Sequence, residues 1–241
     1  MDIRIIGSLV CNKNKIYLNS LFSLRHSIGT IKTNIENLDR WGFHEIIVSL
    51  KDGRDISLFK EYCKQISEIK IFTPLILIGG ISDIDRIKIA LNSGFDRVGF
   101  CSSLLVSKKI KFINYIADTI GAQAVLIQFI IKEFNSKFVE LYIPNSGKIK
   151  KINHNDLKNT ISEVNASEII ITDYYSDGEN KLFRKDILKL QCFRGINKNI
   201  LCGYGVLNDK NKLIINKGIS GAIVGDSIFH KENFIKEYAL K

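Results

Sequence analysis

One unit of sequence occurs twice in this chain, and the repeat restricts the fold more than any single motif does. Leu75 to Ser103 reads LILIGGISDIDRIKIALNSGFDRVGFCSS, and Ile200 to Phe229 reads ILCGYGVLNDKNKLIINKGISGAIVGDSIF. In each copy an apolar strand runs into glycine, at Gly79-Gly80 and at Gly203-Tyr204-Gly205. A helical run then closes at Gly94 or Gly218, and a second strand stops at small residues, Cys101-Ser102-Ser103 or Gly225-Asp226-Ser227. Glycines placed directly after strands let backbone N–H groups come close to a bound anion. Two copies half a chain apart predict a duplicated half-barrel with paired phosphate sites; the competing reading is turn glycines that serve only the fold.

The rest of the chain alternates in the same way. Strands are expected at Ile3–Val10, Glu45–Leu50, Pro74–Ile78, Asp96–Cys101, Gln123–Ile131, Glu168–Asp173, Asn199–Gly203 and Gly221–Gly225. Helices are expected at Thr30–Trp41, Asp55–Ile69, Ser82–Ser93 with Ser82 as N-cap, Lys108–Ile120, Asn155–Val164, Arg184–Ile196, Asn208–Asn216 and Lys231–Ala239. Cys11–Ile28 reads as a long polar loop, and Glu133–Ile143 with Pro144-Asn-Ser-Gly147 as an inserted hairpin. Strict alternation with strands too apolar for a solvent-facing surface predicts an α/β fold, a (β/α)8 barrel, spanning residues 1–241 as a single domain. A chain of 241 residues that is 45% hydrophobic with only 2 prolines can bury such a core.

Charge and cysteines exclude several function classes. The net charge is +10 and the pI near 9.3, yet the lysines are scattered among Asn and Ile, and the one dense basic stretch, Lys148 to Lys151, falls in the expected hairpin loop without interleaved aromatics. No nucleic-acid partner is expected; phosphorylated ligands would account for part of the excess. Five cysteines without C-x-x-C spacing argue against a disulfide framework and against structural zinc. Met1-Asp-Ile-Arg leads straight into a strand and no apolar run approaches the roughly twenty residues of a membrane span, so a cytoplasmic chain with no membrane contact is expected.

Barrels of this kind carry their chemistry at the C-terminal ends of the strands. Here strand one ends Ser8-Leu-Val10, strand two Val48-Ser-Leu50 and strand five Phe129-Ile-Ile131, none of which offers an acid, a base or a nucleophile. Serines and glycines remain, which suit phosphate but not proton transfer, and no metal or cofactor is expected.

The runs RIIGSLV at Arg4–Val10, the LIGGI-to-GFDRVGFCSS unit, GAQAV at Gly121–Val125, ASEIIITDYYSDG at Ala166–Gly178 and GDSIFH at Gly225–His230 share order and spacing with one family. Together they resemble the cyclase subunit of imidazole glycerol phosphate synthase, a half-barrel-duplicated TIM barrel that works with a glutaminase partner. The resemblance implies phosphate-binding positions at Gly80, Ser102, Asp177, Gly178, Gly205, Gly225 and Ser227, with Asp226 placing a carboxylate where phosphate should approach. It also implies an acid and a base, aspartates in the family, at Val10 and Ile130. Further family acids fall on Leu50 and Tyr175, and the family's Asn-Thr phosphate pair falls on Cys101-Ser102. Each lost general acid or base removes a term of roughly 100- to 10,000-fold, so family cyclization is not expected.

What the resemblance leaves intact is the opposite end. A ring of alternating charges, through which ammonia enters the family barrel, corresponds to Arg4, Glu45, Arg97 and Glu168, and the partner-facing surface to Asp96 and Gln123. The resulting expectation is a cyclase-like subunit of a glutamine amidotransferase complex that docks a glutaminase and conducts ammonia. Its acceptor would be a nucleotide-activated sugar in surface polysaccharide (O-antigen) synthesis, with a sugar amidotransferase as a further partner. The alternatives are an ordinary histidine-pathway cyclase and a non-catalytic barrel that binds a phosphorylated metabolite.

Overall fold

The computed structural model describes residues 3–101, 109–144, 146–179, 181–206 and 218–229. Eight strands, β1 (Arg4–Asn12), β4 (Glu45–Leu50), β5 (Leu75–Ile78), β6 (Arg97–Cys101), β7 (Val125–Phe134), β10 (Glu168–Asp173), β11 (Asn199–Gly203) and β12 (Gly221–Val224), pair in parallel in that order. β12 pairs back onto β1, with Arg4 opposite Gly221 and Ile6 opposite Ile223, so the sheet closes into a (β/α)8-type barrel.

Strand alternation divides the core in two. Ile6, Ile47, Ile76, Ile78, Leu126, Ile170, Leu201 and Ile223 point inward and fill the lumen. Their neighbours, among them Leu9, Val48, Leu77, Phe100, Ile127 and Ile171, point outward and pack under the helices. Those helices are α1 (Ile31–Arg40), α2 (Ile56–Ser67), α3 (Ile84–Asn92), α4 (Ile110–Ile120) and α5 (His154–Glu163). Thr30, Asp55, Asp83 and Asn153 cap α1, α2, α3 and α5 by accepting from amides of the first turn, which satisfies donors the helix cannot.

Four expectations from the sequence need correction. Cys11–Ile28 is not a loop: β1 runs on to Asn12 and turns into an antiparallel hairpin, β2 (Lys15–Ser20) and β3 (Ser23–Thr30). Asp83, not Ser82, caps α3; its carboxylate accepts from the Arg86 amide while Ser82 Oγ donates to it. Arg184–Ile196 forms two short 3-10 turns, Lys185–Lys189 and Gln191–Phe193, rather than a helix. Arg184 is held at the start by Asp173, a buried carboxylate that accepts from its backbone N at 3.0 Å and its Nη2 at 2.8 Å, which fixes the chain there in extended geometry. Lys148–Lys151 lies in β9 (Lys148–Asn153), not in a loop. The helices expected at 208–216 and 231–239 lie outside the described residues.

The duplication is visible in the finished barrel. β1 and β7, the first strands of the two halves, are the ones that outrun the barrel, each continuing into an antiparallel pair: β2–β3 in one half, β8 (Phe138–Ile143) and β9 in the other. Both additions stand at the C-terminal mouth.

Candidate functional site

The N-terminal mouth is closed by charge. Arg4 begins β1, Glu45 β4, Arg97 β6 and Glu168 β10, and alternation turns all four side chains into the lumen. Arg4 Nη1 lies 3.1 Å from Glu45 Oε1, and Arg4 Nη2 contacts Glu168 Oε1. Arg97 Nη1 lies 3.3 Å from the same Glu45 oxygen, and Arg97 Nη2 2.7 Å from Glu168 Oε2. Each carboxylate is therefore shared by both guanidinium groups, and the four residues make one closed cycle of ion pairs. The last contact is an ion pair without the alignment of a hydrogen bond, since Glu168 Oε2 has no hydrogen-bond partner. Arg97 is fixed further by donating to Gln123 O at 3.0 Å and Ser167 Oγ at 3.1 Å.

Glu168 and Glu45 are buried, which four unpaired charges would not permit. Burial alone would pull the Arg4 guanidinium down, but its hydrogen bond and charge with Glu168, reinforced by Glu45, raise it overall. Asp96 and Gln123 are exposed on the same face. Asp96 accepts from the Leu75 amide at 2.8 Å and so brackets the start of β5.

The C-terminal mouth holds a cavity of about 120 Å³, lined by Val10, Ile130, Leu50, Lys51, Gln128 and Cys101 among others. One water takes about 10–15 Å³ of such space, so the cavity has room for roughly ten waters, and it is open on the solvent side. Ile130 is fully buried and Val10 nearly so, and among the described residues no Asp, Glu or His lines the cavity. Several of its polar groups are engaged with neighbouring side chains. Cys101 Sγ donates to Gln128 Oε1 at 3.2 Å, and Gln128 Nε2 to Thr172 Oγ1 at 3.1 Å. Ser8 Oγ and Tyr204 OH lie 3.0 Å apart. Burial pushes the Cys101 thiol up to about 12, so it is no nucleophile near neutral pH.

The expected phosphate positions are divided. Gly80 lines the cavity, and its φ of +75° places its backbone against Gly53, where a Cβ would lie 2.8 Å from the Gly53 carbonyl. Arg86 Nη1 donates to both carbonyl groups, clamping the two turns together. Ser102 lies outside the described residues. Asp177 and Gly178 meet the β2–β3 hairpin instead: Asn19 Nδ2 and Phe22 N both donate to Asp177 Oδ2 at 2.6 Å, and a Cβ on Gly178 would strike Asn19 O. Asp226 accepts from Asn19 N at 2.7 Å. The Tyr204 ring lies against Gly225, and Gly205 packs on Lys181 O. Tyr175 donates to Glu133 at 2.7 Å.

The hairpin is thus the feature that sequence reading missed. Its tip residue Phe22 stacks on Tyr174 with ring centroids 5.7 Å apart and meets Tyr142 of the second hairpin at 5.3 Å, roofing the mouth. Lys51 Nζ donates to Phe22 O at 2.7 Å from the cavity wall. No alternation announces it: Asn19 and Ser20 are both buried and Arg25 to Ser27 all exposed, so the strands carry no period of two.

Comparison with known proteins agrees with this geometry. Residues 47–234 match the family described as Histidine biosynthesis protein. The chain belongs to that family. Within it, the chain is similar to the imidazole glycerol phosphate synthase subunit HisF of Chlorobium phaeobacteroides, 27% identical over 210 residues that cover 85% of this chain and 80% of the relative. The HisF subunit of Dictyoglomus turgidum is 25% identical over 94% of this chain and 89% of its own. That of Flavobacterium johnsoniae is 29% identical over 69% and 66%. The HisF-like barrel therefore carries, at the positions where the resemblance placed an acid and a base, two aliphatic side chains.

Proposed function

We propose that this HisF-like barrel is the ammonia-conducting subunit of a glutamine amidotransferase complex that has lost cyclization. A glutaminase docks on the N-terminal face, ammonia passes the ring of Arg4, Glu45, Arg97 and Glu168, crosses the apolar lumen and leaves at the C-terminal mouth. The observation that carries this reading is the contrast along one lumen: a fully paired charge cycle at its entrance, and an exit cavity without a carboxylate or imidazole. Neutral ammonia needs no base to cross a layer of isoleucine and leucine, whereas cyclization does need one. An ordinary histidine-pathway cyclase is opposed by Val10 and Ile130. In line with the resemblance, we assign the acceptor as a nucleotide-activated sugar held on a second protein, an amidotransferase of surface polysaccharide synthesis.

The test is to add the purified barrel to a class I glutaminase subunit and measure complex formation and glutaminase rate, with turnover of the ribonucleotide intermediate in excess ammonium salt as a parallel assay. A complex with a raised glutaminase rate and no cyclase turnover is expected. Absence of a complex, or measurable cyclization, overturns the reading. One observation favours a second reading, a barrel that binds a small phosphorylated metabolite: the Lys51 ammonium lies on the cavity wall. Heat on titration with phosphate at millimolar concentration, together with no glutaminase complex, would favour it.

A further inference from the structure

The exit end of the barrel carries a surface that the passage of ammonia does not account for. Tyr142 and Ile149 stand directly opposite each other across β8 and β9, so they share one face of that hairpin. Tyr142 meets Tyr174 at 4.8 Å and Phe22 at 5.3 Å between ring centroids, which joins the four side chains into one apolar strip beside the mouth. The outer end of the strip is open, with Ile149 46% exposed. Leu182, 60% exposed, stands at the same end of the barrel, since Lys181 O before it packs on Gly205. Around the strip cations outnumber acids. Lys132 Nζ lies 5.0 Å from the centre of the Tyr174 ring, and Lys151, two residues from Ile149 on the same face, lies 3.2 Å from that of Phe138. Residues 132–153 hold five lysines against two glutamates, and residues 12–30 hold Lys13, Lys15 and Arg25 and no acid.

We propose that this strip and its lysine rim are the docking surface for the amidotransferase, which meets them with an acidic surface around an apolar pocket; the proposal rests on the reading above, in which ammonia leaves here for an acceptor on a second protein. Ammonia released into water near neutral pH is protonated and diluted, so the protein that accepts it has to cover the exit. The composition fits such a partner, because an aromatic and aliphatic centre within a charged rim is the anatomy of a protein interface. It fits a nucleic acid less well: the rings of Phe22, Tyr142 and Tyr174 pack on one another and not outward as platforms for bases. It fits an anionic bilayer less well too, since Glu133 and Glu140 stand among the lysines, where a bilayer offers no cation and a protein can.

The test combines the purified barrel with a class I glutaminase and a nucleotide-sugar amidotransferase of surface polysaccharide synthesis. Each pairwise affinity is measured by calorimetric titration, and amidation is followed with glutamine or with ammonium salt as the nitrogen source. Ile149→Asp puts a charge at the open end of the strip. It should weaken the amidotransferase complex about tenfold or more and lower glutamine-dependent amidation, with glutaminase affinity, ammonium-dependent amidation and the Tm of the free barrel nearly unchanged. Lys148→Gln with Lys151→Gln, both exposed, should weaken the complex about fivefold at low salt and less at high salt. Lys60→Gln with Lys64→Gln, the same change of charge on exposed side chains of α2, should leave it intact. Unchanged affinity in either exit variant, or an equal loss in the α2 variant, overturns the proposal. A wild-type barrel that binds the glutaminase but not the amidotransferase overturns the docking alone; one that binds neither overturns the ammonia-conducting reading with it. Sedimentation with phosphatidylglycerol vesicles that Ile149→Asp abolishes, without amidotransferase binding, would overturn it in favour of a bilayer.

Discussion

The two mouths of this barrel bury carboxylates in opposite ways. At the N-terminal mouth, Glu45 and Glu168 each face two arginines, so burial strengthens the attraction that offsets desolvation. At the C-terminal mouth, Asp177 and Asp226 face each other with amide donors and a single lysine, and burial raises both. A buried carboxylate thus sits among cations at one end and among amide donors and a second carboxylate at the other. Asp177, which the resemblance placed at a phosphate site, holds a hairpin here.

The largest effect should come from forcing an acid back into the exit. Ile130→Asp places a carboxyl at a fully buried position among aliphatic side chains, with Lys51 the one cation among the described residues that line the cavity. Desolvation should destabilise the barrel by several kcal/mol near neutral pH, read as a large drop in Tm that shrinks toward pH 4 as the carboxyl protonates. Val10→Asp with Ile130→Asp should give no cyclization even with ammonium in excess. An undiminished Tm or measurable turnover would mean that the mouth still tolerates the family's chemistry.

Next comes the entrance. Glu168→Lys leaves three cations against one anion in a buried cycle, and breaking a buried pair typically destabilises by about 3–5 kcal/mol. Thermal unfolding and glutamine-dependent ammonia transfer should both fall, and Glu168→Gln should lie between it and wild type. Equal stability in all three would make the cycle a set of solvated charges.

Asp226→Asn should have the opposite sign. Its carboxyl has a raised pKa, so the stability tied to its protonation is present at acid pH and is lost as pH rises toward and through about 7. Near pH 5.5 the variant should match wild type; at pH 8 it should be more stable, by about 2 kcal/mol, because it removes a buried charge. Destabilisation at pH 8 would place Asp226 with the entrance carboxylates and erase the contrast.

How far sequence carried the reading differs between the same two regions. The entrance residues were legible through the resemblance, which placed Arg4, Glu45, Arg97 and Glu168 each directly before an apolar run. That they close into a cycle required the barrel's register, which no single strand encodes. The exit was legible only for what it lacks, at Val10 and Ile130. Its roof was not: β2–β3 carries polar residues on its outer face, reads as loop, and is held by Asp177 and Asp226, more than 150 residues away along the chain. The expected helix at Arg184–Ile196 failed for a similar reason, since Asp173 captures the Arg184 backbone from another strand.

The smallest effect concerns aromatic surface, where the two faces again differ. At the exit Phe22 is covered by Tyr142 and Tyr174. At the entrance face Phe72, in the turn leading into β5, is 100% exposed. Its loop is not loose, because one Asp39 oxygen accepts from Phe72 N at 3.1 Å, Thr73 N at 2.9 Å and Thr73 Oγ1 at 2.7 Å. A partner that covers this face would therefore meet a backbone already ordered, and little backbone entropy would be lost on binding. Phe72→Ala should leave the Tm of the free barrel unchanged, since the ring touches no core residue that its loss could uncover. Against a glutaminase it should weaken the complex about 10- to 100-fold, matching the roughly 1.5–3 kcal/mol that full burial of such a side chain contributes. Calorimetric titration of wild type and variant with the same glutaminase measures the difference. Unchanged affinity would put the contact surface elsewhere on the face, nearer Asp96 and Gln123, and would leave the contrast between a covered exit and an open entrance without a functional meaning.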